Sequence, residues 1–105
     1  MNLRYRIWSA ISNNIKSYRT KNLIGCSLNN LKNRLQKTAI MNGYKDFDIN
    51  NYDGKKYHID HIIPCSIFDL SKEEEQRKCF HWSNLQILEA SENLKKNKKN
   101  IFQGD

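Results

Sequence analysis

Asp60 and His61 stand side by side in the stretch His58-Ile59-Asp60-His61-Ile62-Ile63-Pro64, and that adjacency constrains how the chain can fold. Tyr57 to His61 reads as a strand, and Pro64, which has no amide hydrogen to give a ladder, stops it. Side chains alternate faces along a strand, so His58 and Asp60 point one way and Ile59 and His61 the other. The carboxylate and the imidazole can serve one site only if the chain bends or ends near residue 61. Ile62-Ile63-Pro64 permits that bend.

The remaining elements follow from spacing. Leu3, Ile7, Ala10, Ile11, Ile15 and Tyr18 recur at helical intervals, which predicts an amphipathic helix over 3–19. Gly25 interrupts it. Ser27 is a suitable N-cap for a second helix carrying Leu28, Leu31, Leu35 and Ala39, and Asn42-Gly43 ends it. Residues 46–56, rich in Asp, Asn and Gly, read as a loop with a turn at Asp53-Gly54. Ser71-Lys72-Glu73-Glu74 matches a capping box and predicts a short helix over 72–79. Leu85-Gln86-Ile87-Leu88 reads as a second strand, and Ser91 as the cap of a last helix reaching about Lys98. The class is α+β. At 105 residues the chain is one compact domain, with a basic helical N-terminal extension over 1–45 and a core over 46–105.

Charge is segregated along the chain. Residues 1–45 carry nine Lys/Arg and no acid, residues 46–94 carry five Lys/Arg and ten acids, and residues 95–105 carry four Lys and one Asp. A polyanion would meet two basic ends around an acidic middle able to hold a divalent cation. Solvated surface charge on a Lys/Asn-rich chain is the plainer reading. Cys26, Cys65 and Cys79 are odd in number and widely spaced without a CxxC, which argues against a disulfide framework or a zinc knuckle. No run approaches the ~20 apolar residues that span a bilayer. These features predict a soluble, intracellular protein with no membrane partner.

Asp60 is a hard oxygen ligand suited to Mg²⁺ or a similar ion. His61, with an ordinary pKa of about 6.5, can take a proton from water at neutral pH. A bare Asp-His pair at a strand end is otherwise just a hydrogen-bonded couple. Tyr5, Trp8 and Tyr18 accompany the N-terminal basic residues; packing in the core is the simpler expectation, base stacking the other.

The stretch His58 to Pro64, then Phe80-His81-Trp82-Ser83-Asn84-Leu85-Gln86-Ile87-Leu88, then Glu92-Asn93-Leu94-Lys95-Lys96, resembles the HNH endonucleases, most of all the stand-alone forms of phage and large-virus genomes. The resemblance covers residues 52–99, and more loosely Gly25-Cys26-Ser27 with the helix after it. It implies a ββα-metal core, with the two N-terminal helices packed on it. It implies Asp60 and Asn93 as metal ligands, His61 as the general base, and Asn84 as the amide that ties down the loop between the strands. Asn93 stands where many members have histidine. An amide oxygen shifts preference toward Mg²⁺ or Mn²⁺, and without CxxC pairs no structural zinc is expected. His58, Lys95, Lys96 and Lys99 are candidate substrate contacts, with half-buried strand histidine and solvated lysines as the plain alternatives. The implied activity is metal-dependent hydrolysis of DNA, leaving 5′-phosphate and 3′-hydroxyl ends. RNA remains a possible substrate. A monomer would nick; a homodimer would pair its cuts. If viral or phage-borne, the protein would work in the host cytoplasm. The alternative is a non-catalytic nucleic-acid-binding module on the same scaffold.

Overall fold

The computed structural model describes the backbone of residues 3–103 and the side chains of residues 3–96. Three helices lead: α1 (Leu3–Asn13), α2 (Tyr18–Ile24) and α3 (Leu28–Met41). Strand β1 (Tyr57–His61), helix α4 (Glu73–Phe80), strand β2 (Leu85–Glu89) and helix α5 (Ala90–Gln103) follow. The two strands form an antiparallel pair in which Ile59 faces Ile87 and His61 faces Leu85. The fold is α+β.

Helix α3 carries the longest apolar stripe, and the sheet is built on it. Ser27 Oγ accepts from Asn30 N at 3.1 Å and starts the helix as the sequence predicts. Leu28, Leu31, Leu35 and Ala39 are all buried and meet Ile87 and Leu85 in one core. Ile7, Ala10 and Ile11 of α1, Leu23 and Ile24 of α2, Phe47 and Ile49 before β1, and Cys79 and Phe80 of α4 join it, so both halves of the chain feed a single cluster.

A two-stranded sheet leaves an unpaired edge on each strand, and buried backbone groups there need partners. On β2 they come from α3. Ile87 N donates to Thr38 Oγ1 at 3.1 Å, and Asn42 Nδ2 donates to Ile87 O at 3.0 Å. On β1, Ile59 N donates to the Tyr52 hydroxyl at 3.3 Å. The residues before β1, predicted as loop, thus brace its edge.

The helix predicted over 3–19 is two helices. Asn14 adopts a left-handed φ of 53°, which asparagine tolerates better than most residues, and α1 stops before it. Ser17 then caps α2, accepting from Thr20 N at 3.1 Å. Beyond the break the apolar stripe loses its register. Ile15 is 51% exposed, and of the three aromatics Tyr18 (82% exposed) and Tyr5 (54% exposed) do not fill the core, whereas Trp8 is partly buried.

Two predicted caps form differently. Ser71 Oγ donates to Asp69 Oδ1 at 2.6 Å, and that carboxylate captures it before it can cap α4; Lys72 takes the cap position with no side-chain bond. Glu73, Glu74 and Glu75 still sit in the first turn, where the helix dipole favours acids. Ser91 Oγ donates to Glu89 Oε1 at 2.8 Å, and α5 begins one residue earlier, at Ala90, with no loop after β2. Helix α5 therefore folds straight back over the sheet and touches both strands. No described helix is long and apolar enough to cross a membrane.

Gly25 ends α2 with φ 76°, and a Cβ there would lie 2.9 Å from the His81 ring. Gly43 has φ 88° but open space around it. Alanine at either site costs about 1–2 kcal/mol of backbone strain. Gly25→Ala adds the collision with His81. Thermal unfolding should show a larger loss of Tm for Gly25→Ala than for Gly43→Ala; equal losses would mean that α2 and His81 do not approach this closely.

Candidate active site

The register of the sheet sorts the side chains of β1. Ile59 and His61 lie opposite Ile87 and Leu85, both buried, and so face α3 and the core. His58 and Asp60 face α5, where each finds a partner. The two prospective reactive groups thus start on opposite faces, as strand alternation requires. The strand ends at His61, and the chain bends through Ile62 and Ile63 toward Pro64. Around that end, a cavity of about 30 Å³ is lined by Asp60 and His61 together with Asn93, Lys96, Arg4 and Cys65. It opens beside a groove of about 450 Å³ that shares Arg4, His61 and Asn93 and adds Tyr5, Trp8 and His58.

Asp60 is 6% exposed. A buried carboxylate without partners is costly, and here two donors meet it. Gln86 Nε2, from the residue directly across the sheet, donates to Oδ2 at 2.9 Å, and Lys96 Nζ donates to the same oxygen at 2.6 Å. Lys96 also donates to the backbone carbonyls of His61 and Ile62. It therefore clamps the end of the strand and neutralises its carboxylate at once.

Asn93 lies in the first turn of α5 and contacts His58, with Nδ2 to Nδ1 at 2.9 Å. An amide nitrogen only donates, so in this orientation His58 Nδ1 is the acceptor. This orientation leaves Asn93 Oδ1 as the amide's ligand atom. Lys95 is ion-paired on the surface with Glu92 at 3.6 Å, an interaction worth little in solvent. The Lys99 side chain lies outside the described residues.

His61 is 5% exposed, and its ring meets Phe80 edge-on at 4.7 Å between centroids. Its Nε2 has no hydrogen-bond partner among the described residues. A buried polar atom left unmatched costs about 1–3 kcal/mol, which is unusual enough to need a reason.

Asn84 is buried and makes three side-chain hydrogen bonds to backbone. Its Oδ1 accepts from Ile63 N at 2.8 Å, and its Nδ2 donates to Ile63 O at 3.1 Å and to Cys79 O at 2.9 Å. Its own carbonyl accepts from Ile62 N at 2.9 Å. One amide thus joins the segment leaving β1 to the last turn of α4, holding the backbone next to His61. It touches neither cavity.

Several neighbours were not singled out by sequence reasoning. Arg4 Nη2 lies 3.5 Å from Cys65 Sγ, which is itself 3.2 Å from Cys79 Sγ. Burial raises the Cys65 thiol, but hydrogen bonds from His61, Arg4 and Cys79 outweigh it and bring it down to about 6. Burial pushes the Cys79 thiol up, and its hydrogen bond to Cys65 adds to that. Strand alternation puts Gln86 with Asp60 once the register is known. Nothing in the spacing announces that Arg4, Cys65 and Cys79 meet.

No family model matches the chain, and no solved structure matches it. It is 39% identical over 94 residues to "Uncharacterized protein L246" of Acanthamoeba polyphaga mimivirus, and 34% identical over 99 residues to "Uncharacterized protein L426" of the same virus. The matches take in 88% and 79% of this chain but 38% and 44% of those proteins, so the chain spans less than half the length of the curated relatives it matches.

Proposed function

We propose that the chain is a metal-dependent endonuclease of the HNH type that hydrolyses DNA phosphodiester bonds. One observation carries the reading: Asp60, His61 and Asn93, from a strand and a helix separated by a long connection, line a single cavity. The order β1, β2, α5, with α5 packed on both strands, supports a ββα-metal core with the N-terminal helices against it. The three backbone hydrogen bonds of Asn84 suit the loop-tying amide of that family.

The donor set fits a small hard cation. Asp60 supplies a carboxylate and Asn93 an amide oxygen turned away from His58, both oxygen donors of the kind Mg²⁺ and Mn²⁺ take. The cavity they line, about 30 Å³, is large enough to admit a cation or a water. Lys96 stands on Asp60 Oδ2, so a cation there competes with this ammonium. When bound, such an ion supplies stabilisation for charge growing on the phosphate and on the departing 3′ oxygen.

The protein's own groups do the rest. His61 accepts a proton from a water in line with the scissile bond; its Nε2 has no hydrogen bond among the described residues to give up first, but it is buried, so the ring must turn toward the cavity it lines. Phe80 keeps the ring upright, and Asn84 holds the backbone beside it. The groove lined by Arg4, Tyr5, Trp8 and His58 offers a cationic group and exposed aromatic surface for a nucleic-acid strand. The acid-free stretch 1–45 adds sequence-independent attraction to phosphates.

A second reading, a DNA-binding module without catalysis, is favoured by one observation. The Asp60 charge is already met by Lys96, as in a purely structural pair. Supercoiled plasmid incubated with Mg²⁺, Mn²⁺ or EDTA separates the two. Conversion to open-circle or linear DNA that EDTA abolishes supports the nuclease. Retarded but uncut plasmid in every condition supports the binding module.

Removing a general base usually loses about 10²–10⁴-fold in rate. His61→Ala should lose plasmid cleavage by that factor while binding DNA as tightly as the parent in a mobility-shift assay. Cleavage at the parental rate would defeat the assignment of His61. Lys96→Met removes the ammonium that competes at Asp60, so, in a variant that circular dichroism shows to be folded, calorimetric titration should show tighter Mn²⁺ binding. Weaker or unchanged binding would mean that the cation does not sit on this carboxylate.

A further inference from the structure

We propose that His61, Cys65 and Cys79 form a second metal site, one for a thiophilic divalent ion such as Zn²⁺, and that its occupation silences His61 as a base. An imidazole nitrogen of His61 and the two sulfurs all lie within 4.8 Å of one another. The site is built from three places: the end of β1, the turn after Pro64, and the last turn of α4. Cys79 is fully buried, His61 nearly so, and Cys65 half-buried.

The distances decide whether an ion fits. Tetrahedral zinc, with Zn–S near 2.3 Å and Zn–N near 2.0 Å, sets its ligand atoms about 3.8 Å apart for two sulfurs and about 3.5 Å for sulfur and nitrogen. The Cys65 and Cys79 sulfurs stand at 3.2 Å, and no pair in the cluster exceeds 4.8 Å. Side-chain rotations that move the ligand atoms by about an ångström would close the set around one ion. Two thiolates balance the charge of a divalent ion, with the two thiol protons released to solvent on binding. Cys65 and His61 also line the small cavity, which gives an entry path and leaves a fourth position open to water.

Ligand softness separates this site from the one at Asp60. Two sulfurs and an imidazole select zinc-like ions, whereas the carboxylate and amide oxygens on the α5 side select magnesium-like ones. His61 stands between the two. An imidazole holding zinc through its lone pair cannot accept a proton from water. This last consequence rests on the nuclease reading; the metal site does not.

The binding test is spectroscopic and needs no activity. Reduced full-length protein, stripped with EDTA and desalted, is titrated with Co²⁺. One equivalent should produce a thiolate-to-cobalt charge-transfer band in the near ultraviolet, and Zn²⁺ should displace it. Cys65→Ser should lose the band or weaken binding by at least about tenfold. Cys26→Ser, at a half-buried cysteine outside the cluster, should keep it. Circular dichroism confirms that both variants are folded; should Cys65→Ser fail to fold, the same comparison is made with Cys79→Ala. No band on the parent protein, or an undiminished band once a cluster thiol is removed, overturns the site. In the plasmid assay with Mg²⁺, one equivalent of Zn²⁺ should slow the parent at least tenfold and leave Cys65→Ser near its own zinc-free rate. A cobalt band from a protein that never cuts DNA keeps the metal site and sinks the nuclease reading. Zinc that binds without slowing cleavage overturns the silencing of His61.

Discussion

A carboxylate buried at the end of a two-stranded sheet needs a cation, and Lys96 supplies it. Asp60 is 6% exposed and takes hydrogen bonds from Lys96 and Gln86 on one oxygen. The same ammonium reaches the carbonyls of His61 and Ile62, the two residues at which β1 stops being a strand. One side chain therefore fixes three things: how α5 lies on the sheet, where β1 ends, and the charge in the cavity. Removing one partner of such a pair typically costs about 3–5 kcal/mol, because the other is left buried and unmatched. That is a large share of the stability of a domain this small.

Asn84 does on the other side of the strand end what Lys96 does on the first. The connection between β1 and β2 is long, and closing it costs entropy that its few buried side chains recover only in part. The Asn84 amide spans from Ile63 to Cys79 and satisfies three backbone groups. An aspartate there would lack the two amide hydrogens, and a leucine would leave all three groups bare. Between Lys96 and Asn84 the backbone at His61 has little freedom left. The imidazole held there keeps a buried nitrogen with no partner among the described residues.

Much of this was legible in the chain. The strand limits at Tyr57–His61 follow from alternation and Pro64, and α3 follows from Ser27 and its leucine stripe. The meeting of Asp60, His61 and Asn93 was expected from order along the chain and from the family resemblance, not from periodicity. What could not be read was anything set by a local competition or by contact at long range. Helical spacing ran through Asn14, and only its left-handed backbone reveals the break. Ser71 matched a capping box, but Asp69 two residues earlier binds the hydroxyl first. Lys96 was read as a phosphate contact, and whether its nearest anion is Asp60 or a substrate depends on how α5 docks. Cys65 and Cys79, fourteen residues apart, carry no spacing signal; Asn84 and α4 bring them together.

Strand alternation also explains why two unlike sets of side chains meet within one turn of chain. Asp60 looks toward α5, whose polar first turn and lysines supply oxygen and charge. His61 looks toward the core, where the near neighbours are Phe80 and two sulfurs. The Asp60 carboxylate and the His61 imidazole therefore start on opposite sides of a single peptide link, the first beside Lys96 and Gln86, the second beside Phe80 and two sulfurs. A strand that continued past residue 61 would keep the two sets apart, each closed off behind the sheet. Because the chain turns there, both open on the same small cavity.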